Sequence, residues 1–165
     1  MFRIGLISDT HGLLRPEAIA FLRGCDHIVH AGDIGRPEIL AELAALAPVT
    51  AIRGNIDTGE WAEAVPEAQY VTLGGICVHV LHDLAALDID PAAAGVDVVV
   101  SGHSHRPLIK ESDGVLFVNP GSAGRRRFSL PTTAAELIVV NRSITPRIVD
   151  LLGGGAPDES RAAGR

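Results

Sequence analysis

Residues of the types that bind divalent metals follow five short apolar runs of this chain. They are Asp9, His11, Asp33, Asn55, His82, His103 and His105. Short apolar runs rich in β-branched residues are typical of buried strands. Because functional groups of open α/β sheets gather at the carboxyl ends of strands, we expect these side chains at one rim of the fold. The set offers nitrogen and oxygen but no sulfur, which suits Mn, Fe, Ni, Co or Zn.

Each of these signals also has a structural explanation when taken alone. Asp9 could cap a turn, and the pairs Gly32-Asp33 and Gly54-Asn55 could form tight turns that bind nothing. The His-x-His pair at 103 and 105 is stronger, because clustered imidazoles are natural metal ligands. The motifs taken together favour a metal site. Each of them follows the carboxyl end of a predicted strand, whereas turns that occur by chance would follow both ends of the strands.

Asp33 is the candidate bridge between two metal sites. A carboxylate has two oxygens, so one aspartate can bind two cations at once. Asp33 is also central among the candidate ligands in the sequence. The ligand set therefore divides into two sites that share this residue.

The composition is that of one ordinary soluble domain. The chain has 165 residues, with 47% apolar and 21% charged residues, enough for a core of useful size. The formal charge of -6 disfavours nucleic acid as a partner, and the one dense basic segment is residues 125–127. Cys25 and Cys77 are too few for a disulfide framework. With neither a signal peptide nor an apolar stretch of membrane-spanning length, we expect a cytoplasmic protein without a membrane partner.

The pattern of elements changes between the two halves of the chain. In the first half, strands alternate with helices predicted over 15–22 and 36–46, which indicates parallel crossovers. In the second half, three hairpins are predicted at Gly74-Gly75, at 112–114 and at Asn141-Arg142. One or two short helices are expected between Ala85 and Ala94. Two sheets packed face to face with helices outside would satisfy both halves. The predicted domain spans 1–152, and the glycine-rich tail 153–165 is expected to be disordered.

The motifs in order resemble those of one known family. They are Asp9-x-His11, Gly32-Asp33, Gly54-Asn55, His82 and Gly102-His103-Ser104-His105. This pattern is similar to that of the calcineurin-like metallophosphoesterase superfamily, and length and loop spacing resemble its small bacterial and archaeal phosphodiesterase branch (the YfcE-like proteins). Asn119-Pro120-Gly121-Ser122 resembles a further motif of that branch. The resemblance spans about residues 2–150 and implies an α/β fold of mixed α+β type, a four-layer αββα sandwich of two mixed β-sheets flanked by helices.

The resemblance also implies the ligand sets and the reaction. One metal would be held by Asp9, His11, Asp33 and His105, and the other by Asp33, Asn55, His82 and His103. The cofactors would be two divalent ions, Mn first, with Ni, Fe, Co or Zn as alternatives. The expected activity is hydrolysis of small phosphodiesters by a hydroxide held between the two cations, with Asp33, Asn55 and His103 as candidate catalytic residues. The alternative is a non-catalytic or weakly active interaction module of the same fold, as in a retromer subunit. Members of the branch often self-associate, so the oligomeric state stays open.

Two residues depart from the family pattern near the site. The family usually has glycine after the histidine at 82, and this chain has Asp83. Many members carry a histidine after the asparagine at 55 as a general acid, and this chain has Ile56, which cannot donate a proton. We therefore expect slow turnover of alkyl esters and faster turnover of activated aryl esters.

The remaining candidates each have a functional and a structural interpretation. Asp57 is expected to fix its loop, and His30 could donate a hydrogen bond to a ligand residue. His79 is a rival to His82, but it lies inside the strand rather than at its end. Asn55 and Arg125 are the candidate substrate-binding residues, although the whole arginine run could instead be a solvated turn. A metal-dependent amidohydrolase is disfavoured, because its first strand usually ends in His-x-His and its barrel needs a longer chain.

Overall fold

The computed structural model describes residues 1–127 and 129–153, and its strands form two five-stranded sheets. The first sheet has the order β10-β9-β1-β2-β3. Its strands are β1 (Phe2–Ile7), β2 (His27–His30), β3 (Val49–Ala51), β9 (Thr133–Val140) and β10 (Ser143–Asp150). The first three run parallel, and β9 and β10 are antiparallel additions on the far side of β1. β1 is therefore central, and its carboxyl end lies beside that of β2.

The second sheet has the order β4-β5-β6-β8-β7. Its strands are β4 (Ala68–Leu73), β5 (Ile76–Leu81), β6 (Val98–Val100), β7 (Leu108–Ser112) and β8 (Val115–Asn119). The central strands β5, β6 and β8 are parallel, and an antiparallel strand lies at each edge. This mixture follows from the chain, since β4–β5 and β7–β8 are tight hairpins whereas β5–β6 and β6–β8 need crossovers. The predicted hairpins at Gly74-Gly75, 112–114 and Asn141-Arg142 are confirmed.

The main core lies between the two sheets. Alternation along β1 sends Ile4 and Leu6 into this core, while Ile7 faces the other side of the sheet. Val78, Val80 and the first and last valines of β6 face them from the second sheet. The predicted α/β sandwich of two mixed sheets is confirmed.

Helices cover the outer face of the first sheet. α1 (Pro16–Leu22) and α2 (Pro37–Ala44) both begin with proline, whose fixed φ suits the first helical position. Leu22, Ile39 and Leu43 pack against the sheet in a second apolar cluster. The predicted helix over 36–46 ends two residues early, because its last turn tightens at Leu46. A one-turn helix, α3 (Glu60–Glu63), was not predicted.

The layer outside the second sheet is thinner than predicted. In place of one or two helices between Ala85 and Ala94, the chain forms a 3₁₀ turn over Leu84–Ala86 and a turn around Pro91. Leu87 and Ile89 pack on this face against the small cluster around Val99. Pro91 breaks the alanine-rich stretch into pieces too short to nucleate a helix. The predicted disordered tail lies outside the described residues apart from Gly153. Among the residues described, no helix is long and apolar enough to span a membrane.

Candidate metal centre

The candidate ligands come together on one rim, where β1, β2, β5 and β6 end. Five of them have positive φ angles between 47° and 71°, which non-glycine residues rarely adopt: Asp9, His11, Asp33, His103 and His105. The other described non-glycine residues with positive φ are three hairpin residues, Asp113, Asn141 and Arg142. Strained backbone of this kind clusters at functional sites, because the surrounding fold holds it in place. The strain therefore marks the same rim as the sequence motifs.

Asp9 lies at the centre of the rim and is completely buried. Its Oδ2 accepts hydrogen bonds from the Ser8 hydroxyl at 2.6 Å and from the His103 backbone N–H at 3.1 Å. Its Oδ1 has no hydrogen-bond partner, although it is buried. An unpaired buried carboxylate oxygen is costly, so this atom is held ready for a ligand outside the chain.

Three histidine nitrogens surround that oxygen. The Nε2 atoms of His105, His11 and His82 lie 3.4, 3.6 and 3.9 Å from Asp9 Oδ1. The Nε2 atoms of His11 and His82 are themselves buried without a hydrogen-bond partner. Burial lowers the pKa of His82, but the Asp33 carboxylate and the Ala31 carbonyl outweigh it and raise the pKa of the metal-free ring. The other ring nitrogen of His82 contacts the Ala31 carbonyl at 2.7 Å, so the proton of the neutral ring is on Nδ1, and Nε2 then has a lone pair. This is the tautomer that a metal-binding histidine needs.

Asp33 lies between two of these histidines, and its role as the shared ligand stays a prediction. Its Oδ2 is 3.3 Å from His82 Nε2 and 3.5 Å from His11 Nε2, while its Oδ1 accepts the Ile56 backbone N–H. Burial raises the pKa of Asp33, but His82, the Ile56 N–H and His11 outweigh it and bring the pKa down to about 2. The carboxylate is therefore anionic at neutral pH and suited to binding cations.

Two groups of these residues have ligand atoms close enough to hold one cation each. The first is Asp9, His11 and His105, and the second is Asp9, Asp33 and His82, with the ligand atoms of each group within 4.8 Å of one another. Two carboxylates and three imidazoles form a set without sulfur, which fits Mn, Fe, Co, Ni or Zn. The residues present, with their unpaired buried atoms, therefore fit the divalent cations that the sequence motifs imply.

His103 and Asn55 form the open side of the rim. The His103 side chain is 46% exposed, and its ring stands edge-on to that of His82 at 5.2 Å. Asn55 is also exposed, in the loop between β3 and α3. Both residues reach the rim, but neither is enclosed by the protein as the other candidates are.

Two glycines let the loops approach closely enough to form the centre. A side chain at Gly54 would collide with the Asp33 carboxylate, and one at Gly102 would collide with Ser8 Oγ and Asp9 Oδ2. Neither position has a positive φ, so glycine is required there because a side chain would not fit, and not because of the backbone conformation.

His30 holds two of the loops in place, which differs from the predicted hydrogen bond to a ligand residue. His30 is fully buried; its Nδ1 accepts the Gly32 N–H, and its Nε2 contacts the Thr10 hydroxyl at 3.0 Å. Thr10 in turn donates to the Ile34 carbonyl. His30 thus links the loop after β1 to the loop after β2, rather than bonding to a candidate ligand. Burial lowers its pKa to about 4.

The Asn-Pro-Gly-Ser motif also has a positioning role. The Asn119 amide donates to the Gly102 carbonyl at 3.0 Å and to the Ser104 hydroxyl at 3.1 Å, which fixes the loop after β6. The Ser122 hydroxyl donates to the Asp9 carbonyl at 3.0 Å. The motif was visible in the sequence, but its role depends on distances between loops far apart in the chain.

The structure decides several of the alternatives. Asp57 accepts three backbone N–H groups, from Ile34, Gly35 and Gly54, so it fixes the loops as predicted. His79 stacks on Tyr70 at 4.1 Å, away from the metal centre, which supports the choice of His82.

The arginine run lies at the surface near the rim. Arg125 is exposed, and the structure shows no contact between it and the candidate ligands among the described residues. Burial lowers the pKa of His105, and the charge of Arg127 contributes to the same shift. Arg127 therefore acts on the centre electrostatically, while a substrate-binding role for Arg125 stays a prediction.

Comparison with known proteins agrees with this geometry. Residues 2–142 match the sequence profile of the calcineurin-like phosphoesterase superfamily domain. The chain belongs to this superfamily. A probable metallophosphoesterase from Methanothermobacter thermautotrophicus is 37% identical over 142 residues, which are 78% of this chain and 81% of the relative.

A second relative and a solved structure extend the comparison. A phosphodiesterase from Methanocaldococcus jannaschii is 28% identical over 149 residues, which are 79% of this chain and 89% of the relative. The crystal structure of wild-type Vps29 complexed with zinc, from Entamoeba histolytica, superposes with a TM-score of 0.77 at 23% identity. That match covers 94% of this chain and 96% of Vps29, and it shows that the two share the superfamily fold.

Proposed function

We propose that this protein is a phosphodiesterase that depends on two divalent cations, with manganese as the first candidate. The observation that carries the proposal is the convergence of unpaired buried atoms, Asp9 Oδ1 with the Nε2 atoms of His11 and His82, on a common point. A chain that did not bind cations there would leave these groups unsatisfied. The name of the phosphodiesterase relative supports the ester class.

The chain contributes position and charge to the reaction. When bound, the two cations supply Lewis acidity toward the phosphate and activate a water for attack. Asp33 holds its negative charge between His11 and His82 and is the shared ligand in our proposal. The exposed Asn55 and His103 complete the second site and face the solvent from which an ester arrives.

No described residue next to Asn55 supplies a proton to the leaving group. Ile56 occupies that position, is 45% exposed, and has its backbone N–H committed to Asp33. An aliphatic side chain cannot act as a general acid, so departure of a poor leaving group is slow. Aryl diesters, whose leaving groups need little protonation, are therefore the better substrates.

A screen of metals against substrates tests the proposal. Purified protein would be loaded in turn with Mn, Ni, Co, Zn and Mg and assayed with aryl diesters, nucleotide diesters and monoesters. We expect hydrolysis of aryl diesters with at least one of these metals, and its loss after chelation. If protein with verified metal content cleaved none of these esters, the superfamily's alternative role as an interaction module would be favoured instead.

A comparison of leaving groups tests the part played by Ile56. The wild type should hydrolyse an aryl diester much faster than an alkyl diester, and Ile56→His should raise the alkyl rate selectively. Ile56→Leu is the matched control, because it keeps an aliphatic side chain at the same position. Equal wild-type rates on the two esters would contradict this account of the leaving group.

A further inference from the structure

Asp83 occupies the mouth of the metal centre, between two grooves. One groove has a volume of about 580 Å³ and is lined in part by His103, Leu108 and Phe117. The other has a volume of about 490 Å³ and is lined in part by Asn55, Tyr70 and His82. Asp83 lines both. A group bound at the cations with one substituent in each groove would therefore pass directly beside this carboxylate.

The carboxylate of Asp83 is held in a definite orientation. Its Oδ1 accepts the Ala85 N–H at 3.0 Å, at the start of the 3₁₀ turn. Its Oδ2 lies 3.8 Å from His103 Nε2, and the side chain is 43% exposed. Oδ2 therefore faces the exposed His103 on the open side of the rim, and the His103 ring lies between this oxygen and the His82 ring.

The two kinds of phosphate ester present different charges to this oxygen. A diester carries one negative charge, and its two substituents can extend into the two grooves. A monoester, whose second pKa is about 6, carries nearly two negative charges at neutral pH and has a third terminal oxygen in place of the second substituent. That oxygen would approach Asp83, where like charges repel.

Each of the other charged residues that line the grooves in the described part of the chain lines only one of them. Arg53 in the second groove contacts Glu67 at 3.0 Å and donates to backbone carbonyls of residues 62 and 65. Asp88 lines only the second groove, and its charge acts on His79. Arg106 lines only the first groove. Asp83 is thus the charged residue of the described part of the chain that faces both grooves.

We propose that Asp83 makes the centre selective for singly charged phosphodiesters by repelling the doubly charged head of a phosphomonoester. This inference rests on the proposed phosphodiesterase function and names its substrate class. The negative side chain stands where the superfamily usually has glycine, so the selectivity belongs to this chain's own sequence. Asp83 does not touch the reacting atoms in this account; its charge sets which ester enters.

The test compares Asp83→Asn with the wild type in manganese-loaded protein. Asparagine keeps an oxygen for the Ala85 N–H and removes the charge. With 4-nitrophenyl phosphate, kcat/KM should rise about tenfold, while with bis(4-nitrophenyl) phosphate it should stay within about twofold. Raising ionic strength from about 0.01 M to about 1 M should shrink the wild-type preference for the diester, because the screening length falls from about 30 Å to about 3 Å.

Asp88→Asn is the matched control, since it removes a carboxylate from one groove only and should leave the ratio unchanged. Asp83→Gly, which restores the usual superfamily residue, should shift the ratio in the same direction as Asp83→Asn. An unchanged ratio in both Asp83 variants would overturn the proposal. So would an equal loss with both esters together with weaker manganese binding, because that result assigns Asp83 to supporting His103.

A binding experiment separates this inference from the proposed function. Calorimetry in mildly alkaline buffer, where phenylphosphonate is doubly charged and cannot be hydrolysed, should show about tenfold tighter binding of this compound to Asp83→Asn. Its singly charged methyl ester should bind equally to both proteins. If the wild type hydrolysed no ester, the proposed function would fail, and the two phosphonates would still decide whether Asp83 discriminates charge. Equal binding of phenylphosphonate to both proteins would overturn the inference alone.

Discussion

Asp9, Asp33 and His82 are enclosed by the protein and held by hydrogen bonds, whereas Asn55 and His103 stand at the same rim in contact with solvent. Asp9 Oδ1 and His82 Nε2 are buried without a hydrogen-bond partner. Ser8 supports the Asp9 carboxylate, while His30 and Asp57 hold the surrounding loops. The exposed residues have few such supports. The contrast indicates that one side of the centre is built before any cation arrives, and that the other side is completed by cation and substrate.

Preorganisation of this kind has a cost in free energy. Positive φ angles, buried carboxylates and unpaired imidazoles all destabilise the folded chain when nothing binds there. The open side avoids that cost, but its residues lose conformational freedom when a ligand binds. Substitutions on the two sides should therefore differ in size and in kind.

The largest effect is expected at Asp33. Asp33→Ala removes the charge between His11 and His82, and kcat/KM should fall more than about a thousandfold, since loss of an outer partner alone costs about 10–100-fold. Bound metal, measured by elemental analysis, should fall with it. Asp113→Ala is the matched control, because Asp113 also has a positive φ but lies in a hairpin turn. If Asp33→Ala still bound metal and were active, the enclosed side of the centre would not depend on this carboxylate as we propose.

The next effect is a loss of stability in acid from His30. Burial lowers its pKa from 6.5 to about 4, so the unfolded chain takes up a proton that the folded chain refuses. The free energy of unfolding should therefore decrease as pH falls from about 6.5 to about 4, by about 3 kcal/mol at most, and this contribution should level off below that. Denaturant unfolding of metal-free protein measures it. His30→Gln cannot titrate, so it should flatten this part of the pH profile; an equally steep profile would contradict the assignment.

A smaller difference should separate the two sides directly. His82→Ala should weaken manganese binding about 100-fold, and His103→Ala only about tenfold, because the exposed side chain is replaced more easily by water. Calorimetric titration of metal into each variant measures both. His79→Ala, which removes a histidine stacked on Tyr70, serves as the control. Equal losses at 82 and 103 would mean that burial does not distinguish the two sides.

The smallest effect is expected from an outer hydrogen bond. Ser8→Ala removes the hydroxyl that donates to Asp9 Oδ2 at 2.6 Å, and metal affinity should fall about tenfold. Ser101→Ala is the matched control, a buried serine at the end of β6. If the two variants bind manganese alike, the Ser8 hydroxyl does not orient Asp9.

The strand ends were predictable because their signals are local. A short apolar run such as Val98–Val100, followed by Gly102-His103, predicts both the strand and the polar residues at its end from a few consecutive residues. Hairpins were equally accessible, since turn residues such as Gly74-Gly75 identify them. The family motifs then fixed the order of the elements around the rim.

The supporting contacts could not be predicted in the same way. Ser122 and Asp9 are 113 residues apart in the chain, and no local pattern relates a hydroxyl to a distant carbonyl. The helices expected between Ala85 and Ala94 are absent because Pro91 interrupts the segment, and the pieces on either side are too short to be helical despite their alanines. The left-handed backbone of His11 could not be predicted either, because histidine adopts that conformation more often than most residues but still only in a minority of cases.

The five candidate ligands with positive φ have a consequence for laboratory evolution of this protein. At Asp9, Asp33 and the three strained histidines, glycine would adopt the observed φ without steric cost. Selection for heat resistance alone would therefore favour glycine where the chemistry needs a side chain. A library of this protein screened only for thermal stability should drift toward a better-folded and inert scaffold, and retention of the centre requires selection with the cation present.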